Sequence, residues 1–289
     1  AILFDGAMSH ARVYVNGHEA CHWPNGYNAF HADITDYLHE GEENILAVRL
    51  ENAPESSRWY PGAGLYRNVH LIVTEDAHVP VWGTQVITPV VKTEYAKVTL
   101  HTQLVVPEGQ TFRDYSAETE LLDNKGRVVA RNRTTGTNYD EETFRQDFVV
   151  VKPALWSPDS PTLYTANTRI FYKDTTLKDE YTTVFGIRSV EVAPGKGFLL
   201  NGERVQIKGV CNHHDLGPLG AAVNEAAIRR QIRILKDMGC NAIRTSHNMP
   251  APELVKACDE MGMMVMAESF DEWAKAKLEN GYHAEFNEW

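Results

Sequence analysis

Cysteine is scarce in this sequence. Its four copies, Cys21, Cys211, Cys240 and Cys258, lie far apart and form no C-x-x-C pair. That excludes a zinc ribbon and a dense disulfide framework, and leaves buried free thiols as the expectation. Basic residues are in the minority: 28 Lys and Arg against 39 Asp and Glu give a formal net charge of -11. Nucleic-acid phosphates would be repelled by such a surface, so a neutral small molecule is the more natural partner. No apolar run approaches the length of a bilayer span, so no membrane partner is expected. The opening residues AILFDGAMSH carry neither an initiator Met nor the basic region and cleavage site of a signal peptide. They read as a strand entered midway, and cytoplasmic and periplasmic locations both stay open.

What is present is globular in character. With 43% apolar and 23% charged residues over 289 positions, the chain exceeds one ordinary domain, and two or three are expected. From Ile2 to about Glu75 the signals are short strands. ARVYVNGHEACHW alternates apolar residues around Asn16-Gly17, a dipeptide suited to a tight hairpin because both positions tolerate positive φ. ADITDYL reads as a short helical or turn segment, NILAVRLEN as a strand, and RWYPGAGLYRNV as an aromatic, glycine-rich loop leading into the strand VHLIV. Between about Ala77 and Val190, KVTLHTQLVV, SAETELLDNKGRVVA, ETFRQDFVVV, TLYTANTRIFY and EYTTVFGIRSV are strands, with Asp123-Asn124-Lys125-Gly126 as a turn; a sandwich of two antiparallel sheets is the economical fold. KPALWSPDSP is an irregular connector, because proline cannot donate to a ladder.

After Asn201 the period changes. RVQIKGV, CNAIR and MMVMAE are strands, and NEAAIRRQIRILKDMG and PELVKACDEMG are helices. The βαβαβ order predicts a parallel sheet. Asn224 is placed to cap the first helix, Ile228, Ile232 and Leu235 share its buried face, and Gly239 stops it; Pro252 opens the second and Gly262 closes it. Three successive strand ends therefore deliver His213, His214 and Asp215, then Arg244 and His247, then Glu268, Asp271 and Glu272 to one rim. In parallel α/β folds that carboxyl rim is where ligands bind. Other readings stand beside this one. Arg244 and Glu268 on neighbouring strands could form a structural ion pair. His213-His214-Asp215 invites a metal, although adjacent side chains on extended chain point to opposite sides. Asn287-Glu288, with no strand before it, reads as a solvated face.

FDGAMSHARVYVNG, RWYPGAGLYRNV, LWSPDSPTLY, NG-x-R-V-x-I-K-G-V-x-x-H, N-A-I-R-T-S-H and CDEMGMMVMAE together resemble the glycoside hydrolase family numbered two, which contains the β-galactosidases, β-glucuronidases and β-mannosidases. The resemblance runs through nearly the whole chain in order. It implies a multidomain β plus α/β fold: a jelly-roll sugar-binding-like domain over 1–76 with an incomplete N-terminus, an immunoglobulin-like β-sandwich over 77–189, and the first three βα units of a (β/α)₈ TIM barrel over 190–289. It also implies that His213, Arg244, His247 and Glu268 shape a sugar subsite. Family members hydrolyse β-glycosides with retention, using two glutamates. One follows the fourth barrel strand and the other lies near the seventh, so neither falls in this chain, which reads as a fragment of a longer enzyme. No cofactor is implied. Large β-galactosidases hold magnesium with a Glu-x-His after the third strand, but Glu272 is followed here by Trp273 and Ala274, which argues against a magnesium or sodium ion. Ser57-Arg58-Trp59-Tyr60 replaces the acidic loop residue of those enzymes. The expected partner is a carbohydrate, a β-galactoside first, with glucuronide and mannoside open; a non-catalytic carbohydrate-binding scaffold and a metal-dependent barrel hydrolase are the competing readings. The sheet edge after the third strand leaves a homo-oligomer open.

Overall fold

The computed structural model describes residues 1–137 and 142–285. Asn287-Glu288 lies outside the described residues. The described chain packs as two units, Ala1–Val73 with Lys208 onward, and Thr74–Ile207.

The first unit opens with six strands: β1 (Ile2–Phe4), β2 (Ala11–Val15), β3 (His18–Trp23), β4 (Phe30–Ala32), β5 (Leu46–Arg49) and β6 (Val69–Leu71). They form two antiparallel sheets, β4-β1-β6 and β3-β2-β5. The alternation in ARVYV places Ala11, Val13 and Val15 in the core with Phe4 and Phe30, whose rings stack 4.8 Å apart. Asn16 and Gly17 turn the β2–β3 hairpin at φ 50° and 85°, as a type I′ turn requires. The Asn16 amide also accepts from the Ile45 N–H (2.9 Å) and donates to the Tyr37 carbonyl (2.8 Å). ADITDYL makes a single 3₁₀ turn at Thr35–Tyr37.

The second unit is a β-sandwich. Its strands are β7 (Thr84–Val91), β8 (Tyr95–Gln103), β9 (Tyr115–Leu122), β10 (Val128–Thr135), β11 (Thr143–Val151), β12 (Tyr164–Tyr172) and β13 (Thr176–Phe185). A four-stranded sheet β10-β9-β12-β13 faces a three-stranded sheet β11-β8-β7, all antiparallel. The sequence reading missed β7. Pro89 obscured it, and the structure places that proline at a register shift between Ile87 and Val90 on an edge strand, where a missing N–H is tolerated. A polar group sits inside the sandwich. Thr119 donates to Gln146 Oε1 (2.6 Å) and meets Thr168 Oγ1 (2.8 Å), while the Gln146 amide donates to the carbonyls of Ala117 (3.0 Å) and Asn132 (3.2 Å).

Packing crosses the sequence spans. Residues 1–73 pack with the segment from Lys208, where Tyr66 and Tyr27 are buried with Ala221. Residues 190–207, which precede the first parallel strand, pack with the sandwich. Their three short antiparallel strands, β14 (Val190–Ala193), β15 (Gly197–Leu200) and β16 (Glu203–Arg204), fold as a meander. The strand read in RVQIKGV is also displaced: pairing starts only at Gly209, where a Cβ would stand 2.8 Å from the Ala242 carbonyl.

Strands β17 (Gly209–Asn212), β18 (Ala242–Thr245) and β19 (Met264–Met266) form the parallel sheet β17-β18-β19, as the βαβαβ order predicts. Helix α1 (Glu225–Asp237) is capped by the Asn224 side chain, which accepts from Ala227 N–H at 3.0 Å. Its buried face is Ile228, Ile232 and Leu235. Helix α2 (Pro252–Met261) ends on Gly262 in the left-handed region at φ 74°. These helices and Ile243 and Met263 make one core. No helix among the described residues is long and apolar enough to cross a membrane. Of the four cysteines only Cys258 is fully buried; Cys211 is exposed, against the expectation of buried thiols.

Candidate functional site

A parallel sheet aims its C-terminal residues at one rim, and each of the three strands here ends on or shortly before a polar group. Arg244 and Thr245 close β18, His247 follows two residues later, and Glu268 lies just past β19. The Arg244 Nε donates to Glu268 Oε1 at 2.6 Å, and its Nη2 reaches the same oxygen. The His247 Nδ1 lies 2.8 Å from Glu268 Oε2, and the Glu268 N–H donates to Thr245 Oγ1 at 3.0 Å. Carboxylate oxygens only accept, so Nδ1 of His247 carries a proton. The guanidinium Nη2 lies 3.4 Å from the same Nδ1; with that nitrogen already donating to Glu268, this is a packing contact rather than a hydrogen bond. Burial pushes the Glu268 carboxyl up, yet the bonds from His247 and Arg244 outweigh it and hold the group below its ordinary range. Glu268 is thus an anionic clamp with both oxygens engaged, rather than a proton donor. The ion pair anticipated between Arg244 and Glu268 is present, and His247 joins it.

His213 follows β17 directly. Its ring lies 5.5 Å from His247 at 89° and 4.9 Å from Trp59, and Trp59 is 5.6 Å from His247. Burial, then the neighbouring His247, lower the His213 pKa. Its sequence neighbour goes the other way. His214 donates from Nε2 to the Pro61 carbonyl (2.7 Å) and packs edge-on against Tyr27 and Tyr66 at 5.1 and 5.8 Å; burial lowers its pKa despite the Pro61 bond. The two histidines face apart, as extended backbone dictates. Among the described residues no three His, Cys, Asp or Glu side chains are grouped to hold a metal ion.

The remaining acids of the rim are used locally. Asp271 bonds Arg58 (2.5 Å) and Lys277 (2.9 Å). Glu272 is buried, taking the N–H groups of Lys277 and Leu278 at 3.0 Å each and His283 Nδ1 at 3.0 Å. Asp215 stands beside the histidines as a charge near His213.

Three participants were missed in the sequence. Cys211 on β17 receives Arg244 Nη1 at 3.4 Å, and that contact lowers its pKa; β-strand alternation relative to Arg244 was the available signal, through the register pair Cys211–Arg244. Trp59 and Tyr27 come from the loops after β5 and β3. A bulky aromatic amid the prolines and glycines of RWYPGAG was visible, but only tertiary packing shows what it touches. Tyr27 accepts from the Trp59 indole N–H at 3.1 Å, and burial pushes its phenol up to about 12. The loop is fixed by Arg67, buried beneath it, which donates to the carbonyls of Tyr27 (2.6 Å), Asp5 (3.2 Å) and Met249 (3.0 Å).

Comparison with known proteins identifies the lineage of this arrangement. Residues 79–188 match the model of the glycosyl hydrolases of family 2, and residues 190–287 match the TIM-barrel domain of the same family. The chain belongs to glycosyl hydrolase family 2. This family 2 chain is 47% identical over 291 residues to a β-galactosidase of Bacteroides ovatus, an alignment that takes in 100% of the chain and 34% of that protein. It is 29% identical to a β-galactosidase of Thermoanaerobacter pseudethanolicus over 92% of the chain and 36% of that protein. A solved family 2 member from Bacteroides cellulosilyticus superposes with a TM-score of 0.94 at 38% identity, covering 99% of this chain and 37% of that one. A β-glucuronidase of Bacteroides uniformis gives 0.78 at 27% identity, covering 91% and 33%. The family 2 chain thus spans about a third of the length of the curated relatives it matches.

Proposed function

We propose that residues 1–289 supply the sugar-binding floor of a retaining β-glycosidase acting on terminal β-D-galactosides. The observation that carries this reading is the Arg244–Glu268–His247 cluster at the carboxyl rim of parallel strands, with His213 beside it. A sugar hydroxyl both donates and accepts. The His213 imidazole, which when neutral presents one N–H and one lone pair, matches it; the His247 Nε2, left over from the bond to Glu268, adds a second polar site, and a guanidinium adds fixed donors. Glu268 sets the tautomer of His247 and the plane of Arg244, so hydroxyl contacts are formed without reorganisation. Retaining hydrolysis further needs two carboxyl groups about 5 Å apart, one to protonate the leaving oxygen and one to attack the anomeric carbon; in this reading they come from chain outside residues 1–289.

Likeness to a β-glucuronidase structure makes β-glucuronides the second reading. The test uses a full-length enzyme containing this chain, assayed with nitrophenyl β-galactoside and nitrophenyl β-glucuronide. Turnover of the galactoside is expected, and Arg244→Ala should lower kcat on the order of 100-fold while the melting temperature falls by only a few degrees. A large melting loss with normal activity in the surviving folded fraction would return Arg244 to a purely structural role. Preference for the glucuronide would transfer the assignment to the second reading.

A further inference from the structure

We propose that Trp59 is a positioning residue for this subsite: wedged against both His213 and His247, it fixes their perpendicular arrangement. The inference rests on the glycosidase reading above and adds to it a residue from outside the barrel strands. Trp59 sits in a loop whose neighbours Arg58 and Tyr60 are exposed, so loop geometry alone gives no reason for an indole to point inward. Yet its ring meets His213 at 4.9 Å and His247 at 5.6 Å. Its N–H, a donor only, is spent on the Tyr27 hydroxyl at 3.1 Å. Tyr27 is 2% exposed and packs edge-on to Tyr282 at 6.4 Å, so the anchor is rigid. The Arg58 guanidinium lies 5.8 Å from the indole centroid and is tied to Asp271, which gives the ring a further fixed neighbour.

The chemical consequence concerns the protonation of the imidazole pair. Two imidazolium ions with rings 5.5 Å apart repel each other, and a protonated ring offers donors only. By covering one side of the otherwise exposed His213 ring, the indole favours the neutral form that can both donate to and accept from a sugar hydroxyl. The groups acting on His213 are His247 and Arg58, which disfavour its charge, and Asp215 and Asp271, which favour it. Removing the indole takes away that cover, so the His213 pKa rises toward its ordinary value while the four charged and titratable neighbours stay in place.

The test pairs two measurements. In residues 1–289, NMR titration of His213 in wild type, Trp59→Phe and Trp59→Ala should show the His213 pKa rising in Trp59→Ala and staying near wild type in Trp59→Phe, which retains an aromatic face. In a full-length enzyme containing this chain, Trp59→Ala should lower kcat/KM about 100-fold and move the acid limb of the pH profile to higher pH, with Trp59→Phe recovering most of the loss. Tyr27→Phe, which removes only the acceptor of the indole N–H, should fall between them. An unmoved His213 titration in folded Trp59→Ala, or a loss of activity with an unchanged acid limb, would overturn the proposal and leave Trp59 as a loop anchor. Absence of glycosidase activity in the wild-type enzyme would instead overturn the functional reading, and the titration in residues 1–289 would still decide the role of the indole.

Discussion

Replacing Glu268 by Gln tests the cluster at its hub. One carboxylate oxygen holds Arg244 and the other holds His247. Glutamine keeps one acceptor oxygen and presents an NH₂ where the other stood, so one of the two sets of bonds is lost and a donor then faces a donor. A hydrogen bond to a charged group nets about 1.5–3 kcal/mol. The side chains of Glu268, Arg244 and His247 are 24, 39 and 27% exposed, so solvent screening reduces that figure. A loss of about 1–2 kcal/mol follows, or roughly 2–6 °C in melting temperature for a body of this size. The dependence on pH has a defined sign. The folded pKa of Glu268 is depressed, so its stabilisation is present above the ordinary carboxylate range and lost as pH falls through the folded value. Wild type and Glu268→Gln should therefore differ at neutral pH and converge in acid. Thermal unfolding across pH, with the ¹⁵N shifts of His247 as a report on its tautomer, reads both effects. A variant that melts like wild type at neutral pH and leaves the His247 shifts unmoved would refute the clamp.

The other expectations are shorter. His213 and His214 both have depressed folded pKa values, so their contribution is complete above the ordinary imidazole range and declines as pH falls below it; His214→Phe should flatten the change in melting temperature between neutral and mildly acid pH. Asn224→Ala removes the cap on α1 and should cost about 1 kcal/mol in urea unfolding, with Asn224→Ser recovering most of it. Gln146→Ala leaves Thr119 and two carbonyls of the sandwich interior short of partners and should cost about 2–4 kcal/mol through the cavity and the unmet polar groups, measured by the same method. Residues 1–289 by themselves should give no turnover of nitrophenyl β-galactoside above background; turnover abolished by Glu288→Gln would overturn that expectation.

Local chemistry made much of this protein legible in advance. Asn16-Gly17 fixed a hairpin because both residues accept positive φ, and Asn224, Gly239, Pro252 and Gly262 bounded the two helices through the capping needs of unpaired backbone groups. The switch from strand alternation to helical period located the parallel sheet, and a parallel sheet obliges His213, Arg244, His247 and Glu268 to share a rim. Period and propensity say nothing about which surface meets which. That Trp59 reaches the histidines, that Tyr27 holds the indole, and that Cys211 lies beside Arg244 depend on side chains far apart in sequence, brought together by burial. The same holds for packing: residues 190–207 precede the first parallel strand in sequence, yet they pack with the sandwich. The turn of His214 away from His213 was determined by sequence alone, through the alternation of extended backbone. What it turns toward, the Pro61 carbonyl and the Tyr27 and Tyr66 rings, only the tertiary structure decided, because those partners are supplied by loops whose positions no local rule fixes.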